Sequence, residues 1–127
     1  MVIFHQVTQS RRRAATNKII LNLDLREGLF TLNEGTIEAL GRPRQVQILI
    51  NMQEKMLVLR ACGTEDIEAV VLPSEKTIAT EIGARSFMKQ IKQKMNWNDD
   101  RVRECIGVCY PEIKAVCFDL SKVRIIA

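Results

Sequence analysis

Hydrophobic and polar positions divide the chain into short strand-like runs separated by turns, with two stretches of helical period. "KIILNLDL" (18–25) mixes apolar and alternating positions and reads as a strand. Arg26-Glu27-Gly28 makes a turn, and "LFTL" (29–32) a second short strand. Asn33 is suited to cap a helix, because its side chain can accept from the first free amides. Glu34 sits in that helix's first turn, where the dipole favours negative charge, and Ile37 and Leu40 form its apolar stripe. Gly41 is placed to close it, and Pro43 prevents its continuation.

"QVQILI" (45–50) and "MLVLRA" (56–61) form the next hairpin, across "NMQEK". Val46, Ile48 and Ile50 share one face and Leu49 takes the other; Leu57 and Leu59 oppose Met56 and Val58. Apolar residues on both faces lead us to expect a hairpin covered on both sides, inside a sandwich, a barrel or an interlocked dimer. Residues 69–72 and "TIATEI" (77–82) are candidate strands. The longest helix is expected over 83–95, where Phe87, Met88, Ile91 and Met95 make an amphipathic stripe. "RVRECIGVCY" (101–110) and "KAVCFDL" (114–120) read as strands across "PEI", and "KVRIIA" as a short final strand. Trp97 and Tyr110 are read as core or rim residues, and "VIFHQVT" (2–8) as a strand or a loosely held arm.

The order strand, cap, helix, turn, strand, tight loop, strand runs through 29–61 and again through 78–120. "ILINMQEKMLVL" lies over "IGVCYPEIKAVCF" with an offset of 58 that grows to 59 across the loop. Residue identity is poor, so pattern alone carries the comparison. A duplication would pair the halves about a pseudo-two-fold axis, each burying the other's hairpin, so that one chain imitates a symmetric dimer. The expected fold is therefore α+β: two pseudo-repeated strand–helix–β-hairpin halves, about 18–62 and 77–127, sharing one core of mostly antiparallel sheet or barrel. An acidic connector (63–76) and a basic N-terminal arm (9–17) complete a single domain over 1–127.

Composition agrees with one globular domain. The chain has 127 residues, 46% hydrophobic and 27% charged, enough to bury a core without disulfides. Cys62, Cys105, Cys109 and Cys117 contain no C-x-x-C pair, and the single His5 lies far from them in sequence. They read as reduced and buried thiols, with no metal and no cofactor expected. The basic cluster at 11–13 follows the first apolar residues, the reverse of a secretory signal, and no apolar run reaches membrane-spanning length. A cytoplasmic protein without membrane contact is expected.

Net charge is +4, unevenly spread. Arg11, Arg12, Arg13 and Lys18 stand without an acid among residues 11–18, and Arg85, Lys89, Lys92 and Lys94 without one among 82–98. Between them, residues 64–81 carry Glu65, Asp66, Glu68, Glu75 and Glu81 against Lys76 alone. Arg85, Lys89 and Lys92 recur at i, i+4 and i+7 and line one helix face. Such clusters suit a polyanion, although exposed lysines and arginines are also the ordinary furniture of a solvated surface.

"GLFTLNEGTIEALGRPRQVQILINMQEKMLVLRA" (28–61) resembles the core of the AbrB/SpoVT swapped-hairpin transcription regulators, which run strand, short helix ending in Leu-Gly, strand, loop, strand. The likeness covers about a quarter of the chain, and Asn33 stands near the helix start, where that family usually has proline. It implies DNA contacts from arginines in and around the early strands, positions that Lys18, Arg26, Arg42 and Arg44 are placed to fill. The second half is similar to uncharacterised small mobile-element proteins of Firmicutes.

These observations lead to a small DNA-binding protein, of the kind that regulates transcription, with Arg11, Arg12, Arg13, Lys18, Arg42, Arg44, Arg85, Lys89 and Lys92 as its phosphate contacts. The alternative is a phage- or element-encoded inhibitor or accessory subunit whose basic faces meet an acidic protein surface. A homodimer fits either reading. An enzyme is not expected: no H-E-x-x-H, G-x-S-x-G, phosphate-binding glycine loop or dinucleotide fingerprint occurs. Asp99-Asp100 is read as a solvated turn.

Overall fold

The computed structural model describes residues 18–63, 69–72 and 79–127. Its strands are β1 (Ile20–Asp24), β2 (Leu29–Asn33), β3 (Gln45–Asn51), β4 (Met56–Cys62), β5 (Val70–Val71), β6 (Ala79–Gly83), β7 (Val102–Tyr110) and β8 (Ala115–Ile125). Among the described residues two helices interrupt them, α1 (Glu34–Ala39) and α2 (Arg85–Met95), and a 3₁₀ turn at Pro111–Ile113 joins β7 to β8. All eight strands belong to one antiparallel sheet, in the order β5-β3-β4-β8-β7-β1-β2-β6. The fold is α+β, as expected.

Side-chain alternation curls this sheet into a nearly closed, barrel-like wrap around one interior. Leu21 and Leu23 of β1, Phe30 and Leu32 of β2, Val46 and Ile48 of β3, and Leu57 and Leu59 of β4 all enter the same core. Ile82 of β6, Cys105 and Cys109 of β7, and Val116, Phe118 and Leu120 of β8 join them. Burying one such side chain stabilises by roughly 1.5–3 kcal/mol, so the pleat is held in register by its interior row.

That arrangement corrects the expectation for the β3–β4 hairpin. Only its inner face is buried. On the outer face Leu49 is 42% exposed, and Met56 and Val58 are half-buried. The sheet turns one face inward, and no described element covers the other here.

Local chemistry explains the helices. Asn33 caps α1: its Oδ1 accepts from the Thr36 amide at 3.0 Å and from the Ile20 amide at 3.1 Å, while its Nδ2 donates to the Lys18 carbonyl. The fully buried Thr36 hydroxyl lies 2.7 Å from Asn33 Oδ1 and 3.1 Å from both the amide and the carbonyl of Ile20. This knot ties the start of β1 to the start of α1. The helix ends at Leu40, one residue earlier than the glycine suggested. Gly41 (φ 81°) and Arg42 (φ 50°) then turn left-handed ahead of Pro43.

Boundaries elsewhere differ modestly from the sequence reading. α2 begins at Arg85, and the last two expected strands are one continuous β8 of 11 residues. β8 pairs with β4 over Ala115–Asp119 and with β7 on its other edge, across an irregularity between Cys105 and Gly107. Asp99 and Asp100 are not merely solvated: Asp99 grips Arg103 and Asp100 pairs with Lys92. Among the described residues no helix is long and apolar enough to cross a membrane.

Candidate nucleic-acid interface

α2 is held by its apolar stripe. Met88 and Ile91 are buried, and Phe87 stacks on Phe30 of β2 with ring centroids 6.3 Å apart. The start of the helix is pinned where the Ala84 amide donates to the Gly28 carbonyl at 2.8 Å. Gly28 (φ +67°) is required there twice over. A Cβ would sit 2.7 Å from Arg85 Cγ, and the backbone is left-handed. The C-terminus closes on Asn96, itself left-handed, with Lys92 and Lys94 in the last turn, where the helix dipole favours cations.

With the stripe facing inward, the rest of α2 faces water and carries only cationic and neutral polar residues. Arg85, Lys89 and Lys94 are exposed and make no ion pair among the described residues. Lys92 Nζ lies 3.1 Å from Asp100 Oδ1, so its charge is partly offset. Not one acid occurs among the 11 residues of the helix.

Beyond the helix, Arg103 is 5% exposed and held from two sides. Its Nη1 and Nη2 donate to Asp99 Oδ1 and Oδ2 at 2.7 and 2.9 Å, and its guanidinium lies 4.3 Å from the centroid of Trp97. The bidentate bonds, with the Arg101 amide donating to the same carboxylate, hold Asp99 well below the usual carboxylate range. Here the structure supplies what the sequence left open for Trp97: it is a lid over a buried cation rather than a free stacking platform. The Asp99–Arg103 spacing was visible, but outside a helix an i, i+4 separation carries no expectation of contact.

The remaining expected contacts do not gather around α2. Arg42 Nη2 bridges Glu34 and Glu38 of α1, 3.0 Å from each, so its charge is offset by the helix it follows. Lys18 is exposed beside the Asn33 cap, and Arg44 is exposed where β3 begins. β2 and β6 pair antiparallel, Asn33 with Ala79 and Leu29 with Gly83. The two helices therefore start at opposite ends of that pair, roughly 15 Å apart along the strands. Lys18 lies at one end and Arg85 at the other. Arg11, Arg12 and Arg13 lie outside the described residues. Arg26 pairs with Asp24, which is also bonded by backbone amides. Lys94, the remaining cation of α2, stands off the face shared by Arg85, Lys89 and Lys92.

The thiols differ in setting: Cys105 and Cys109 are buried, whereas Cys62 and Cys117 are only half-buried, short of the burial expected of all four. Cys105 is fully buried and donates to the Asp119 carbonyl at 3.1 Å; burial and the Asp119 charge push its pKa up to about 11. Burial also raises that of Cys117. None of the four cysteines is in a disulfide, and among the described residues no group of three His, Cys, Asp or Glu side chains is placed to hold a metal ion.

A shallow depression of about 590 Å³ lies between the end of α1 (Ala39, Leu40), the end of β4 (Ala61, Cys62) and the β7–β8 turn (Pro111, Lys114). Its lining is chiefly apolar, with Lys114 its one charged residue.

Comparison with protein-family models, with curated proteins and with solved structures found no match.

Proposed function

We propose that this protein is a small nucleic-acid-binding protein that contacts the phosphates of duplex DNA, in the manner of a transcription regulator. The observation that carries the reading is the outer face of α2, an acid-free helix on which Arg85 and Lys89 lie one turn apart, exposed and free of ion pairs among the described residues. A surface of that kind gains affinity by displacing counterions from the phosphate backbone. It selects little among sequences, because phosphates carry no base information. The likeness of residues 28–61 to AbrB/SpoVT regulators points in the same direction. Arg42 is set aside as a primary contact, because a phosphate would have to compete with two carboxylates 3.0 Å away.

The competing reading, an inhibitor or accessory subunit docking on an acidic protein, draws support from apolar residues on the outer face of the sheet. Leu49, Val58, Cys117 and Val108 stand in register across β3, β4, β8 and β7. A titration of a random-sequence duplex at two salt concentrations separates the two. Binding that weakens steeply as salt rises supports the DNA reading; no binding at low salt overturns it in favour of the interaction module.

A further inference from the structure

The strand registers carry a relation that neither the core nor the charges require. β4 and β8 pair about Val58↔Cys117, so Met56↔Asp119 mirrors Arg60↔Ala115, and Leu57↔Phe118 mirrors Leu59↔Val116. Positions 59 residues apart exchange places: 56 with 115, 57 with 116, 59 with 118, 60 with 119. Any antiparallel pair has a local two-fold of this sort. The information lies in how far the same separation extends.

It extends to the flanking bonds. The Ala61 amide donates to the Lys114 carbonyl at 2.9 Å, and the Leu120 amide to the Lys55 carbonyl at 2.8 Å; both lysines are left-handed, at φ 52° and 55°. It extends through the turn-proximal half of both hairpins, where Asn51↔Met56 becomes Tyr110↔Ala115 and Ile48↔Leu59 becomes Gly107↔Phe118; beyond the irregularity between Cys105 and Gly107 the registers part, Val46↔Ala61 against Cys105↔Val123. The two loops have equal length, so the offset is 59 on both arms, and the offset of 58 read from the sequence on the first arm is corrected. The separation also reaches the outer neighbours. β5 pairs with Val46 and Gln45 of β3, while β1 pairs with Cys105 and Glu104 of β7, the residues 59 further on. β2 and β6 pair with each other.

The sheet order adds interlocking. The hairpins β1–β2 and β3–β4 never touch edge to edge; β8 and β7 lie between them. Conversely β5 and β6 sit at the two ends of the sheet, separated from β7–β8 by strands of the first half. We propose that the chain is a fused pseudo-dimer: β1 to β4 with α1, and β5 to β8 with α2, are two half-molecules related by an axis passing between Val58 and Cys117. Neither half holds a core without the other, because the interior rows of each are completed by the other's hairpins. The two helices have then diverged in charge, α1 carrying Glu34 and Glu38 and α2 no acid at all.

The test is cleavage of the full chain carrying a protease recognition sequence in place of residues 64–68. The two fragments should elute together at the mass of the uncut chain and unfold in one urea transition. After separation in denaturant, neither fragment should show protected amides as a monomer, and mixing should restore protection; structure regained only as a homodimer also supports the proposal. A fragment that leaves the complex in native buffer, or that keeps its hairpin amides protected as a monomer, overturns it. Should the inserted site prevent folding, hydrogen exchange on the unmodified chain decides. The amides of Ala61 and Leu120, which the axis exchanges, should show comparable protection, and strong protection of one with prompt exchange of the other removes the two-fold. No nucleic acid enters these measurements, so their outcome is independent of the binding reading.

Discussion

Gly107 faces Phe118 across β7 and β8, and a Cβ on Gly107 would lie 2.6 Å from Phe118 Cε1. The same atom would meet Ile19 Cγ2 and Val116 Cγ1, each at 2.8 Å. All three neighbours are buried, so none can swing into solvent. Gly107→Ala should therefore cost about 1–3 kcal/mol through overpacking, read as a lower urea midpoint with the slope unchanged. An unchanged midpoint would mean that this part of the sheet repacks freely.

Asn33→Ala removes the α1 cap and two further anchors at once, the acceptor for the Ile20 amide and the donor to Lys18. The Thr36 hydroxyl, fully buried, loses its closest partner. A loss of about 1–2 kcal/mol is expected by thermal or urea unfolding. Asn33→Asp, which retains the acceptor, should recover part of it.

Acid should weaken the Asp99–Arg103 pair. Asp99 has a folded-state pKa below its unfolded value, so the folded protein binds fewer protons there. Its contribution is complete above the unfolded value, near 3.9, and is lost as pH falls through the folded one. Asp119, lowered by the Ser121 hydroxyl and amide, acts in the same direction. Arg103→Met should lower the urea midpoint at pH 7, and the gap from the parent should narrow as pH drops below about 4. A gap constant across that range would remove the ion pair as its source.

On DNA, Arg85→Ala and Lys89→Ala should each weaken binding similarly across sequences and reduce the log–log salt slope by about one. Arg42→Ala should leave the slope unchanged, because that cation is already shared between Glu34 and Glu38. Replacing Arg11, Arg12 and Arg13 by Ala tests the arm in the same assay, and an unchanged slope would exclude it as a contact.

Alkylation reads the thiols. Cys105, buried and with a pKa pushed up to about 11, should resist iodoacetamide at pH 8 in native buffer and react only in urea, as followed by intact mass. Prompt labelling of the native chain at Cys105 would show that β7 and β8 open.

Much of this fold was written locally. Asn33 as a cap, the strand within 18–25, the stripe Met88–Ile91 and the two hairpin turns follow from propensity and period, which act over a few residues. The recurring order of parts was legible for the same reason. The acid-free character of α2 needed no fold at all, being a property of consecutive residues. What lay beyond reach was everything decided by partners distant in the chain. That Leu49 faces water, that Arg42 spends its charge on Glu34 and Glu38, and that Trp97 covers Arg103 all depend on which surfaces the sheet brings together. Local sequence determined where strands and helices form and which side of each is oily. Only tertiary structure decided that β8 and β7 part the two hairpins of the first half, and which cations remain free, because strand order and charge pairing are set by contacts between residues far apart in the chain.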